Sequence, residues 1–148
     1  MDKIILAGCV IPNDKGEVLL IHRNTAKRVQ WETPGGKIEE GEDPRKTAER
    51  EAEEEIGVDI EIIKELGRKE FEEDTYVMDY IWYLTSVKSG EPQIIEKDKY
   101  DDLRYFPWEE LREMREELSP NAKNLVDAYF AQEIILKTQL NKSKLPGR

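Results

Sequence analysis

The sequence predicts an α/β fold, an α/β/α sandwich built on a mixed β-sheet, and two observations carry that prediction. Strand-like and helix-like segments alternate along the chain. The segment with the strongest strand pattern, 76–87, is apolar on both alternating sets: Tyr76, Met78, Tyr80, Trp82 and Leu84 on one, Val77, Ile81 and Tyr83 on the other. A strand apolar on both faces is covered on both, which puts helices above and below the sheet.

Each element has its own local reason. Ile4 to Ile11 reads as a buried strand that Pro12-Asn13-Asp14-Lys15-Gly16 turns into a second strand, Glu17 to Arg23. Asn24 to Gln30 is polar and basic and reads as a loop, and Trp31 to Lys37 carries Pro34-Gly35-Gly36, a pair of glycines open to backbone shapes closed to other residues. A helix is predicted over 44–56, with Asp43 as N-cap, Pro44 at its first position and Gly57 as its stop. Val58 to Lys64 and Arg68 to Phe71 look like strand pieces around Gly67. After the strand 76–87, Ser89-Gly90-Glu91-Pro92 turns the chain into an acidic loop, Glu96 to Asp102, before a short strand, Leu103 to Phe106. Trp108 to Met114 and Ser119 to Lys137 read as helices, the second capped by Ser119 with Pro120 behind it. With 148 residues the chain suits one domain, 1–140, followed by a frayed tail, 141–148.

Charge narrows the function classes. Charged residues make up 38% of the chain against a usual ~25%, and 23 basic against 33 acidic side chains leave a net charge of −10. Such a field repels nucleic acid and anionic membrane surfaces. No stretch approaches the ~18–20 apolar residues that span a bilayer. Leu6-Ala7-Gly8-Cys9 looks like a lipoprotein cleavage box, but the apolar run before it, Ile4-Ile5-Leu6, is far shorter than the ~7–15 residues of a signal core. With Cys9 as its single cysteine, the chain is expected to work in the cytoplasm.

The chemistry concentrates between Gly36 and Val58. At about 100° per residue, Glu51, Glu54 and Glu55 share an arc of roughly 100° on the helix, beside Ala48, Ala52 and Ile56, which face the sheet. Adjacent carboxylates repel by a few tenths of a kcal/mol per pair. A hard divalent cation such as Mg²⁺ relieves that repulsion and bridges carboxylates to phosphates. Around this cluster the spacing is Gly36, five residues, Glu42, seven residues, then Arg50-Glu51-Ala52-Glu53-Glu54-Glu55-Ile56-Gly57-Val58, which matches the Nudix box at every defined position. The chain therefore resembles the Nudix hydrolases over about residues 3–130, and Trp31 to Glu39 is most similar to their MutT-like nucleotide branch.

That resemblance implies a Nudix-type sandwich that hydrolyses a nucleoside diphosphate linked to another group. It implies a small-molecule nucleotide as partner, Mg²⁺ as cofactor with Mn²⁺ as a substitute, and a monomer or homodimer. By the same resemblance Glu51, Glu54, Glu55 and the Gly35 carbonyl are metal ligands, Arg50 orients the catalytic Glu51, and Glu42 ties loop to helix. A loop acid joins as ligand or base; Glu96 is the choice, with Asp98, Asp101 and Asp102 as rivals. Arg23 and Lys37 are placed to hold phosphates. Asn121 resembles an asparagine that contacts the base, its alternative being an ordinary polar residue of a first helical turn. Thr33 stands where the MutT comparison favours an aromatic residue near the base. The lone His22 reads as structural. The function expected is cleavage of nucleoside triphosphates to monophosphate and pyrophosphate; the alternatives are a dinucleoside polyphosphate or ADP-sugar pyrophosphatase and a non-catalytic nucleotide-binding regulator.

Overall fold

A computed structural model describes residues 2–137. In chain order the elements are β1 (Asp2–Val10), β2 (Val18–Asn24), β3 (Val29–Glu32), β4 (Gly35–Lys37), α1 (Pro44–Ile56), β5 (Asp59–Glu73), β6 (Tyr76–Ser89), β7 (Tyr100–Phe106), α2 (Trp108–Glu113) and α3 (Pro120–Phe130). The strands form two sheets. One has the order β4-β1-β6-β5, mixed because β1 and β6 run parallel while the other neighbours are antiparallel. The second, β3-β2-β7, is antiparallel throughout. No helix among the described residues is long and apolar enough to cross a membrane.

The two apolar faces of β6 divide the core as the alternation requires. Ile81 and Tyr83 join Ala7, Cys9, Leu19, Ile21 and the α1 residues Ala48, Ala52 and Ile56 in one cluster. Tyr80 and Trp82 join Val10, Leu20, Phe106, Trp108 and the α3 residues Leu125 and Val126 in the other. Each fully buried Leu or Ile side chain in these clusters contributes about 1.5–3 kcal/mol of transfer free energy. α1 packs close because its inward side is Ala48 and Ala52, and Cys9 Sγ donates to the Ala48 carbonyl at 3.4 Å. Its ends are as predicted: Asp43 Oδ1 accepts from the Arg45 amide at 2.7 Å, and Gly57 adopts φ 70° and bonds back to Glu53 O.

Four expectations change. The stretch 24–37 holds two strands, β3 and β4, because Gln30 and Trp31 pair with Arg23 and His22 while Gly35 and Gly36 pair with Gly8 and Ala7. The pieces around Gly67 are one strand, β5, bent by register shifts at Ile62/Lys64 and Glu65/Gly67. β7 begins at Tyr100, inside the expected acidic loop. The last helix stops at Phe130 rather than Lys137, since Gln132 turns left-handed at φ 60° and folds Ile134 back onto the core. The proposed tail, 141–148, lies outside the described residues. His22 is structural in its contacts, with Nδ1 2.7 Å from Asp101 Oδ1 and its ring 4.8 Å from that of Trp31.

Candidate active site

The Gly35-Gly36 pair sits where β1, β6 and α1 press together. A side chain on Gly35 would collide with the Tyr80 hydroxyl, with Ala7 O at 2.7 Å and with the Gly8 α-carbon at 2.7 Å; one on Gly36 would stand 2.5 Å from Glu51 Oε1. Only glycine lets this strand carry its backbone against the carboxylates of α1. Gly35 N–H donates to Glu55 Oε1 at 2.9 Å.

Arg50 organises the outer half of the site. Its guanidinium takes Glu42 with both arms, Nε to Oε2 at 2.7 Å and Nη2 to Oε1 at 3.0 Å, and Nη2 reaches the Lys37 carbonyl at 3.1 Å. Nη1 donates to Glu51 Oε1 and to Glu54 Oε1, both at 3.0 Å. Glu42 also accepts from Thr47 Oγ1 at 2.7 Å and the Glu39 amide at 3.1 Å. The Arg50 bonds first, then Thr47, pull the Glu42 carboxyl down to about 2, so it stays ionised and locks the loop 37–42 to α1.

The inner half is buried. Glu55 is 5% exposed, and besides Gly35 it accepts from the Tyr100 hydroxyl at 3.3 Å. That hydroxyl accepts in turn from Arg23 Nη2 at 2.9 Å, and Arg23 is forked onto Glu32 through Nε at 2.7 Å and Nη2 at 3.2 Å. Burial, then the charge of Glu51, push the Glu55 carboxyl well above the usual range. Burial raises Glu51 as well. The charge of Glu51 disfavours a second charge on Glu55, an arrangement that wants either a proton or a cation to offset it.

Among the described residues no three carboxylate, imidazole or thiolate groups already converge on one point; Glu51 and Glu54 flank Arg50 Nη1 instead. The donor set nonetheless suits a hard divalent ion. It is all oxygen, and it offers three carboxylates of one helix against a single guanidinium.

Beside the carboxylates opens a cavity of about 230 Å³ whose lining includes Arg23, Lys37, Gly35, Gly36, Phe71 and Asn121. Lys37 has no carboxylate partner among the ion pairs of the described residues, whereas Arg23 is committed to Glu32. Asn121 reaches this cavity but is tied down, with Oδ1 accepting from Trp82 Nε1 at 2.8 Å and Nδ2 donating to Thr33 Oγ1 at 3.1 Å. Glu96 sits on the loop between β6 and β7, which is stitched to the end of α1 by Ile95 N to Glu55 O and Gln93 N to Ile56 O. Its carboxylate faces Lys99 Nζ at 3.4 Å. Of its rivals, Asp101 is engaged by His22 and Asn24, and Asp102 by the Leu103 amide.

Sequence reasoning missed Tyr100 and Glu32. Tyr100 had one signal, a large aromatic residue in an otherwise charged loop. Glu32 had none, because its pairing with Arg23 depends on how β2 and β3 align.

Comparison with known proteins identifies the family. The model of the NUDIX domain matches residues 3–129. The chain is 37% identical over 97 residues to the 8-oxo-dGTP diphosphatase of Haemophilus influenzae, covering 62% of this chain and 71% of that one. It is 32% identical over 95 residues to the enzyme of the same name from Escherichia coli, covering 62% and 73%. A crystal structure of a MutT NUDIX hydrolase from Burkholderia pseudomallei superposes with a TM-score of 0.74 at 25% identity, covering 86% of this chain and 98% of that one. Nudix hydrolases generally use divalent metal ions. With the complete box running from β4 through α1, the matched domain and the shared fold, the chain belongs to the NUDIX family as one of its MutT-like hydrolases.

Proposed function

We propose that the protein hydrolyses nucleoside triphosphates to monophosphate and pyrophosphate in a Mg²⁺-dependent reaction, with Mn²⁺ able to substitute, on its small-molecule nucleotides in the cytoplasm. One observation carries this reading. Three carboxylates, Glu51, Glu54 and Glu55, share a helix face behind Gly35 and Gly36, and those two glycines line a cavity together with Arg23 and Lys37. The 8-oxo-dGTP diphosphatases to which the chain is similar support the triphosphate class.

In this reading Glu51, Glu54 and Glu55, with the Gly35 carbonyl, hold the metal, and Glu96 is the acid that the loop after β6 contributes. A Mg²⁺ ion held by these groups would supply charge to offset the polyphosphate and Lewis acidity toward a phosphoryl oxygen and a water molecule. Lys37 supplies a mobile positive charge to the phosphates, and Arg23 a fixed one. Glu51, held by Arg50, accepts the proton of the attacking water, whose oxygen bonds to one phosphorus of the α–β bridge as the bridging oxygen leaves with the other. Asn121 marks the nucleoside end of the cavity.

The test is product analysis. With Mg²⁺, a panel of ribo- and deoxynucleoside triphosphates, oxidised guanine nucleotides, ADP-ribose and dinucleoside polyphosphates is incubated with the protein and with Glu55→Gln. Pyrophosphate plus monophosphate, formed by the parent alone, is the expected result. Cleavage confined to ADP-ribose or dinucleoside polyphosphates would replace the triphosphate class, and nucleotide binding without turnover would make the protein a regulator.

A further inference from the structure

A β-bulge beside the site redirects one side chain into it. Along β2 and β7 the register runs His22↔Asp102 and then Arg23↔Tyr100, so Asp101 is the extra residue. Strict alternation would put Tyr100 on the opposite face of β7 from Leu103 and Tyr105. The bulge turns it over, and Tyr100, 3% exposed, enters the core cluster beneath α1 against which Leu103 and Tyr105 also pack. Bulges next to active sites commonly re-aim a side chain in this way. This one is pinned from both sides, because Asp101 bonds His22 Nδ1 at 2.7 Å through Oδ1 and Asn24 Nδ2 at 2.7 Å through Oδ2.

The redirected hydroxyl lands in the inner half of the site, between Arg23 and Glu55. Arg23 Nη2 donates to it at 2.9 Å, and the guanidinium carbon lies 5.0 Å from the centre of the Tyr100 ring. With one lone pair so engaged, the O–H points to Glu55 Oε2 at 3.3 Å. The other oxygen of that carboxylate is held by Gly35 N–H at 2.9 Å. Glu55 is thus gripped at both oxygens, by the backbone of β4 and by a residue that also touches the arginine of the cavity wall.

We propose that Tyr100 is a positioning residue that fixes Glu55 Oε2 for metal binding and couples that carboxylate to Arg23. This rests on Glu55 being a metal ligand, as proposed above. Groups that orient a ligating side chain typically account for about 10–100-fold in metal affinity or activity.

The experiment measures Mn²⁺ binding to the nucleotide-free protein by electron paramagnetic resonance, together with kcat, KM and thermal midpoint, for the parent, Tyr100→Phe, Arg23→Lys and Glu55→Gln. Phenylalanine keeps the buried ring and the charge and removes only the hydroxyl. Tyr100→Phe is expected to bind Mn²⁺ about tenfold more weakly at temperatures where it is fully folded, and to lose kcat in step. A purely structural tyrosine would lower the thermal midpoint and leave Mn²⁺ binding by the folded protein untouched. Mn²⁺ binding and kcat within about twofold of the parent, well below that tenfold range, overturn the proposal. Should Tyr100→Phe not fold, Arg23→Lys reads the same link, since lysine keeps the charge but cannot span Glu32 and the hydroxyl; unchanged Mn²⁺ binding there overturns it too. Glu55→Gln separates the two levels. If it binds Mn²⁺ like the parent, the metal assignment of Glu55 fails and the role of Tyr100 falls with it. If Glu55→Gln loses Mn²⁺ while Tyr100→Phe keeps it, only the positioning role fails.

Discussion

The carboxylate of Glu51 rests directly on the α-carbon of Gly36, so closely that a methyl group there would stand 2.5 Å from Oε1 and 2.6 Å from Cδ. The obstacle is the far end of a side chain, which can move away, and moving it removes Glu51 from its place beside Arg50. Gly36→Ala is therefore expected to lower kcat by about two orders of magnitude, in the range seen when a general base is displaced, with a thermal midpoint close to the parent's. At Gly35 the obstacles are the backbone atoms Ala7 O and Gly8 Cα, both at 2.7 Å. Backbone cannot step aside, so Gly35→Ala is expected to unfold the site, with a large fall in thermal midpoint. Equal losses of stability in the two variants would refute this division of labour.

The asparagine of α3 gives a prediction of a different kind. Asn121 Oδ1 is the acceptor for Trp82 Nε1, and Trp82 is 2% exposed. Removing that acceptor strands a buried donor, which costs about 1–3 kcal/mol, or a fall of roughly 2–12 °C for a chain of this size. Asn121→Ala is expected to show that loss together with a raised KM. A raised KM at an unchanged thermal midpoint would mean that the amide serves the substrate alone.

How far the sequence could be read depended on whether the deciding interactions are local. Asp43, Pro44 and Gly57 mark the ends of α1 through bonds within a turn of themselves, and the helical arc of Glu51, Glu54 and Glu55 follows from geometry alone. The two faces of β6 showed that both sides would be covered. Tyr100 was hidden because its direction depends on a bulge in a strand pair that joins residues far apart, and a one-residue slip reverses every side chain. β5 looked like two pieces because its register shifts break the alternation that marks a strand. The apolar run Ile134-Ile135-Leu136 looked like more helix, although Gln132 had already turned the chain.

The loop acid can be separated from the helix acids by its setting. Glu96 is on a partly exposed loop, its side chain 32% accessible, and among the described residues its single side-chain partner is Lys99 at 3.4 Å. Its removal should leave the fold intact. Glu96→Gln is expected to cut kcat by about tenfold or more, with KM and thermal midpoint little changed. Unimpaired turnover would take Glu96 out of the site and leave proton transfer to Glu51.

Glu55 should show a conflict between function and stability. Burial first, then the neighbouring charge of Glu51, raise its carboxyl well above the ordinary value of 4.5. In the unfolded chain the proton leaves near that ordinary value, whereas the folded protein holds it to higher pH. Between the two the folded state binds more protons, so stability is greatest on the acid side and falls as pH rises through the window. Each tenfold difference in proton affinity is about 1.4 kcal/mol. Glutamine keeps the shape and the acceptor for Gly35 N–H without the charge, so in the presence of a chelator Glu55→Gln is expected to be more stable than the parent near neutral pH. The advantage should shrink as the pH approaches 4.5. Adding Mg²⁺ should reverse the order, because an ion that binds the folded parent stabilises it and has no purchase on the variant. Thermal midpoints taken across this pH range, with chelator and with Mg²⁺, read both effects. Parallel curves for parent and variant would show that Glu55 carries no such burden, and the buried carboxylate would then have to be balanced by protein groups alone.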